Sequence, residues 1–231
     1  MINVIKKMIP FSWRLHMYLG EKFKKDGEFF DLLINKICKK EPKLKFIQIG
    51  ENDGISCDPI HEFVKKYNWN GVLIEPEPKV NKLLRKNYID RDNLIFENMA
   101  IADFKGEISL SFSNDPSLDS NKLFSTVTPH KGILSRSNYI NSIETIQVPC
   151  DTLENICKKH ELLDFDLLLI DVEGYENNLI CSIDFNIVKP KIIHFEHAHI
   201  TYNEHQNIID YLRRFDYKTF IEKDNSTSIL Y

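Results

Sequence analysis

The chain predicts an α/β fold: a mostly parallel central sheet with helices on both faces and a closing antiparallel hairpin. Three observations predict it. Runs such as LKFIQI (44–49), FDLLLI (165–170) and KIIHFE (191–196) are apolar without strict alternation, as strands read when both faces are covered. Between these runs lie segments with apolar residues at helical spacing. Polar residues collect immediately after the strands instead of within them.

In chain order, residues 1–43 stand outside this pattern and predict an N-terminal helical cap on a domain spanning 44–231. LKFIQI is the first strand and GENDG (50–54) its turn. DPIHEFVKKYNW (58–69) puts Ile60, Phe63, Val64 and Tyr67 on one helical face, with Asp58–Pro59 as a start signal. GVLIEPEP (71–78) is a second strand halted by prolines, and PKVNKLLRKNYI (78–89) sets Val80, Leu83, Leu84 and Tyr88 at helical spacing. NLIFENMAI (93–101) reads as one third strand. EISLSF (107–112) and TIQVPC (145–150) alternate as strands at the base of a long Ser- and Asn-rich loop, 113–145. DTLENICKKH (151–160) is helical, FDLLLI and KIIHFE are the fourth and fifth core strands, and NEHQNIIDYLRRF (203–215) is the last helix. YKTFIE (217–222) and TSILY (227–231) make a hairpin around KDNS.

A chain of 231 residues can bury one sizeable core, and 42% hydrophobic with 28% charged residues fits a soluble globular class. No apolar run nears the roughly 18 residues of a bilayer span. The first twenty residues are broken by Lys6, Lys7, Pro10, Arg14 and His16, unlike the apolar stretch of a secretory signal. Five cysteines without a CxxC pair predict reduced thiols and a cytoplasmic location. Residues 1–45 hold eleven Lys/Arg against five Asp/Glu, a charge of +6, whereas the remainder carries −10. The basic start suits peripheral contact with an anionic membrane or an acidic partner; the plainer reading is a solvated helix pair. The acidic remainder argues against a nucleic-acid surface.

In such a sheet ligands bind beyond the carboxyl ends of the strands, near the point where strand order reverses. Nearly all the chemistry-bearing residues fall there. GENDG lacks the GxGxxG spacing of a dinucleotide turn, and its Glu51, Asn52 and Asp53 suit a cationic zwitterion better than a pyrophosphate. Glu75 ends the second strand at the interval where a carboxylate accepts ribose hydroxyls. LLLIDVEGYE (167–176) runs a buried strand into Asp171, Glu173 and Glu176, which can orient or deprotonate a substrate or simply favour a helix start. In HFEHAHI (194–200), strand alternation expects His194 and Glu196 on one side and His197 and His199 on the other, both of the latter being candidate bases. Asp171, Glu196 and a histidine can also bind a divalent ion, although no metal is assigned. Within 113–145, Ser125, Thr126, His130, Lys131 and Arg136 offer donors to a polyhydroxylated or anionic compound, and this loop is expected to cover it.

FIQIGENDG, GVLIEPEP, ENMAI, VPCDTLE and above all LLLIDVEGYE resemble, in order and spacing, the motifs of the FkbM family of S-adenosylmethionine-dependent methyltransferases across residues 44–200. The resemblance implies a Rossmann-like class I methyltransferase fold. It also implies O-methylation of a sugar, glycan precursor or secondary metabolite, a small-molecule or glycan hydroxyl being the acceptor. By resemblance, Gly50, Glu51, Asn52, Asp53 and Gly54 surround the methionine part and Glu75 takes the ribose. Asn98 to Ala100 lie beside the adenine, while Gln48, Pro76 and Asp171 complete the cofactor set. Asp171, Glu173, Glu196, His197 and His199 form the catalytic set. Ser56 stands where many class I enzymes have a third glycine, and Leu169 where many family members carry lysine. Two other readings stay open: a nucleotide-sugar or NAD-binding oxidoreductase, and a non-catalytic S-adenosylmethionine-binding module.

Overall fold

The computed structural model describes residues 27–113, 125–127 and 143–231. Helix α1 (Glu28–Cys38) leads into β1 (Lys45–Ile49), α2 (His61–Tyr67), β2 (Asn70–Ile74), α3 (Pro78–Asn87) and β3 (Leu94–Glu97). Then come β4 (Ala100–Ile101), β5 (Gly106–Ser113), β6 (Ser125–Thr126) and β7 (Ile143–Asp151). The chain ends with α4 (Leu153–Lys159), β8 (Leu167–Ile170), α5 (Glu176–Ser182), β9 (Ile192–Glu196), α6 (Tyr202–Arg213), β10 (Tyr217–Ile221) and β11 (Asn225–Leu230).

Seven strands form the central sheet in the order β10–β11–β9–β8–β1–β2–β3. The five strands from β9 to β3 are parallel, and β11 runs antiparallel to both β9 and β10. Alternation along each parallel strand explains the apolar runs. Phe46, Leu167, Leu169 and Ile192 face a core shared with α1, α2 and α3, whereas Ile47, Ile49, Leu168, Ile170, Ile193 and Phe195 face α4, α5 and α6. Each large side chain removed from water this way contributes about 1.5–3 kcal/mol. Helix starts follow side-chain chemistry: Glu77 accepts from the N–H groups of Lys79 and Val80 ahead of Pro78, and Thr201 forms a capping box with Glu204.

Two expectations are corrected. NLIFENMAI is two strands in two sheets: β3 ends the central sheet, whereas β4 joins a second sheet ordered β4–β7–β5–β6. The break falls at Asn98, whose amide donates to the carbonyls of Glu75 and Pro76 and so turns the chain away. Helix α5 begins two residues after Gly174, where the carboxylate-rich end of the fourth core strand favours a helix start. The described part of the N-terminal segment is not a solvated cap. Phe29, Phe30, Leu33, Ile34 and Ile37 of α1 are all within 3% of full burial, and Phe29 stacks on Phe220 with ring centroids 4.0 Å apart. Glu222, at the end of β10 and fully buried, accepts from the Phe29 N–H at 2.9 Å and fixes the start of α1. His130, Lys131 and Arg136 lie outside the described residues.

Candidate active site

β1 pairs with β2 on one side and β8 on the other, so the chain reverses its direction of travel across the sheet at this point. A crevice opens at the carboxyl ends of those strands. Gly50 lies in it with φ +79, and a Cβ there would come within 1.6 Å of the Asp171 carbonyl oxygen. Only glycine lets β1 and β8 end so close together. The Gly50 N–H reaches the Ile74 carbonyl at 3.0 Å, and the Asp171 N–H reaches Ile49 at 2.9 Å. Gly50, the end of β2 and Asp171 therefore adjoin. A cavity of about 450 Å³ occupies the crevice.

The turn after β1 supplies its polar floor. Glu51 is 2% exposed, and among the described residues no hydrogen-bond donor meets either of its carboxylate oxygens. Burial pushes its carboxyl well above the usual range, and the charges of Asp58, Glu75 and Asp53 push it the same way. Gln48 Oε1 and Asn52 Oδ1 are likewise buried without a donor, and all three residues line the cavity. Asp58 lines it too, accepting from the Gln48 amide at 3.3 Å and the Ile60 N–H at 2.8 Å. As a sequence signal Asp58 read only as the start of a helix.

Glu75 is 3% exposed, and its two oxygens accept from the N–H groups of Asn52 at 2.9 Å and Glu77 at 2.8 Å. The carboxylate thus ties the GENDG turn to the end of β2. Burial raises it to about 8 against those two bonds. Asp53 and Gly54 turn away from the crevice. Asp53 accepts from the N–H groups of Ile55 and Ser56 and the Ser56 hydroxyl. Gly54, at φ +76, sits against Tyr88 and Leu84 of the α3 region, where a Cβ would come within 2.6 Å of both. Asn98 caps carbonyls beneath half-buried Pro76, and Ala100 packs with Ala102, Leu110, Val148 and Cys150 in the second sheet. None of these five, nor Glu75, lines the cavity.

Carboxylates crowd the ends of β8 and β9. Asp171 faces the cavity, and desolvation by the surrounding protein, followed by the Glu173 charge, pushes its carboxyl up. Glu196 is pushed up as well, by burial and by the Asp171 charge. Water in the open cleft screens part of this at Asp171, whose side chain is exposed to it. His199 Nε2 lies 3.2 Å from Glu173 and 3.7 Å from Glu196. The expected alternation fails because β9 stops at Glu196, which lets His199 return to the Glu196 side. His197 is not brought into this group: it stacks on His205 at 4.1 Å, and its Nδ1 meets the Ser226 hydroxyl at 3.2 Å. Glu176 is 1% exposed and spends its oxygens on the N–H groups of Val172 and Gly174, bracing the loop. Burial raises it to about 8.

Ligand atoms of Glu173, Glu196 and His199 lie within 4.8 Å of one another, as do those of Asp171, Glu176 and Glu196. Glu176 is engaged by backbone and Glu173 by His199, so we assign no metal. The opposite wall comes from Gly27, Phe30 and Asp31 of the α1 start and from Asp224 and Asn225 of the β10–β11 turn, with Phe30 stacked on His194 at 4.0 Å. The sequence carried no signal for this wall, because it depends on long-range packing of α1. Among the described residues, no helix is long and apolar enough to cross a membrane.

Comparison with known proteins adds three findings. The 2-O-methyltransferase NoeI of Sinorhizobium fredii is 25% identical over 160 residues, covering 69% of this chain and 65% of that protein. The methyltransferase FkbM of Methylobacillus flagellatus KT has a similar structure, with a TM-score of 0.50 at 11% identity, covering 94% of this chain and 58% of the other. The chain thus spans under two thirds of either relative, and the second likeness speaks for the fold alone. Residues 48–219 match the family described as the Methyltransferase FkbM domain. That stretch begins at Gln48 and takes in the GENDG turn, Glu75, the DVEGYE loop and the HFEHAH strand, and on it the chain belongs to the FkbM methyltransferase family.

Proposed function

We propose that the protein transfers the methyl group of S-adenosylmethionine to a hydroxyl of a sugar or glycan precursor. The observation that carries this reading is the set of buried, unsatisfied oxygens lining the crevice: both of Glu51, with Gln48 Oε1 and Asn52 Oδ1. With Glu51 ionised, every one of them accepts. A ligand that presents an ammonium and a sulfonium supplies the donors and the positive charge they lack, whereas a pyrophosphate would add acceptors and negative charge. The residues therefore fit this cofactor and oppose a dinucleotide. A hydroxyl acceptor is favoured by the kinship with a protein named as a 2-O-methyltransferase.

When bound, S-adenosylmethionine supplies an electrophilic methyl group. The chain's own residues do the rest. Gln48, Glu51 and Asn52 hold the amino-acid end, and Glu75 keeps the turn docked on β2 where a ribose is held. Asp171 faces the cleft and takes the proton of the acceptor hydroxyl as that oxygen becomes nucleophilic. Glu196 keeps its own proton and hydrogen-bonds Asp171, and the His199–Glu173 pair beside it leads the released proton outward. Alignment of two reactants in one crevice supplies much of the acceleration, since proximity is worth about 7–11 kcal/mol. The test is release of S-adenosylhomocysteine with a panel of neutral and charged oligosaccharides, run with and without EDTA. Turnover that survives chelation supports the mechanism; binding of S-adenosylmethionine with no turnover on any acceptor would favour the non-catalytic module.

A further inference from the structure

Glu173 adopts φ +52, in the left-handed region that residues with a side chain rarely occupy, and Gly174 follows at φ +98. A residue stays in that conformation only where its surroundings hold it. Two side chains do so. Glu176 accepts from the N–H of Val172 at 2.9 Å and from that of Gly174 at 3.0 Å, gripping the amides on either side. Thr126, 2% exposed, donates its hydroxyl to the carbonyl oxygen of Glu173 itself at 3.0 Å. Glu176 is local to the turn. Thr126 is not: it reaches in from β6, an edge strand of the second sheet, where it pairs with Ser111 of β5. With both grips in place the Glu173 carboxylate meets His199 Nε2 at 3.2 Å.

We propose that Thr126 is a positioning residue whose hydroxyl locks the left-handed Glu173 backbone, so that the Glu173 carboxylate orients the His199 imidazole at the methyl-transfer site. This assigns the hydroxyl a partner within the protein, where the sequence offered it to the acceptor. It also makes the second sheet part of the acid–base apparatus, because a shift of β6 moves Glu173 and, through it, His199. The role in catalysis rests on the function proposed above; the geometry of the Glu173–His199 pair does not.

The test needs no acceptor. The ring titration of His199 is followed by NMR, its resonance identified by loss in His199→Asn. Glu173 and Glu196 face the ring, with the Asp171 charge behind them. A carboxylate beside imidazole favours the imidazolium, so Glu173→Gln lowers the midpoint. Thr126→Val, which keeps the volume and removes the hydroxyl, is expected to lower it in the same direction by about half a pH unit or more. Thr126→Ser, which keeps the hydroxyl, is expected to titrate as wild type. Thermal melts check that each variant folds, and Thr126→Ala repeats the comparison should valine melt early. If the hydroxyl-free variants titrate as wild type while Glu173→Gln moves, Thr126 positions nothing; if Glu173→Gln also fails to move the midpoint, the pair is not formed. Either result overturns the proposal. Failure of wild-type protein to bind S-adenosylmethionine would remove the methyl-transfer reading and still leave this titration to decide the role of Thr126.

Discussion

At the scale of single residues, the site separates groups that the sequence could only group together. Asp171 and His199 reach the crevice or its carboxylate cluster, whereas His197 stacks on His205 behind it. Asp171→Asn removes the proposed base while keeping the shape, and a fall in kcat of about 10²- to 10⁴-fold is expected with S-adenosylmethionine affinity nearly unchanged. His199→Gln should lower kcat and His197→Gln should not; steady-state rates on one acceptor decide both. The acid limb of the rate profile should lie above the ordinary carboxylate range, since Asp171 must be ionised and its surroundings raise its pKa. A limb near pH 4 would remove Asp171 from the role.

At the scale of elements, the packing of two strand ends sets the crevice. Gly50→Ala puts a methyl group where the Asp171 carbonyl oxygen lies, 1.6 Å from the ideal Cβ position, and adds the cost of a left-handed backbone. We expect a loss of several kcal/mol in stability, read as a lower Tm, together with loss of cofactor binding; a variant that melts and binds as wild type would contradict the geometry. These strands of the parallel sheet were legible because FIQI (46–49), GVLI (71–74), FDLLLI (165–170) and IIHF (192–195) are buried throughout and mostly apolar. The β3–β4 break was not, since Asn98 redirects the chain through bonds to carbonyls 22 and 23 residues away. In the site, Gly50 and Asp171 could be read from their places after strands. The inward turn of His199 and the outward turn of Gly54 could not, because both depend on where a strand stops or a neighbouring helix packs.

At the scale of the whole molecule, the crevice is built partly from chain outside the family match. Gly27, Phe30 and Asp31 precede residue 48, Asp224 and Asn225 follow residue 219, and all five line the cavity. The crevice also concentrates carboxyl groups that burial pushes upward. Glu75 and Glu176 are each raised to about 8 from 4.5, and Glu51 is raised as well. The folded protein therefore holds more protons than the unfolded chain between pH 4.5 and about 8, so stability contributed by these groups falls as pH rises through that window. The Tm of the ligand-free protein is expected to drop between about pH 6 and pH 8.5, by roughly 2–4 °C for each kcal/mol lost. A Tm that is flat or rises over the same interval would mean that these carboxyls are not buried as described.

Calorimetric titration of S-adenosylmethionine into the wild-type protein and into Glu51→Gln tests the central claim, that the unsatisfied oxygens beside Gly50 form a cation-accepting cofactor site. We expect saturable one-to-one binding by the wild type and an affinity weakened by about 10- to 100-fold in the variant, as befits a charge-assisted hydrogen bond. No binding by the folded wild type, or equal affinity in both proteins, would contradict it.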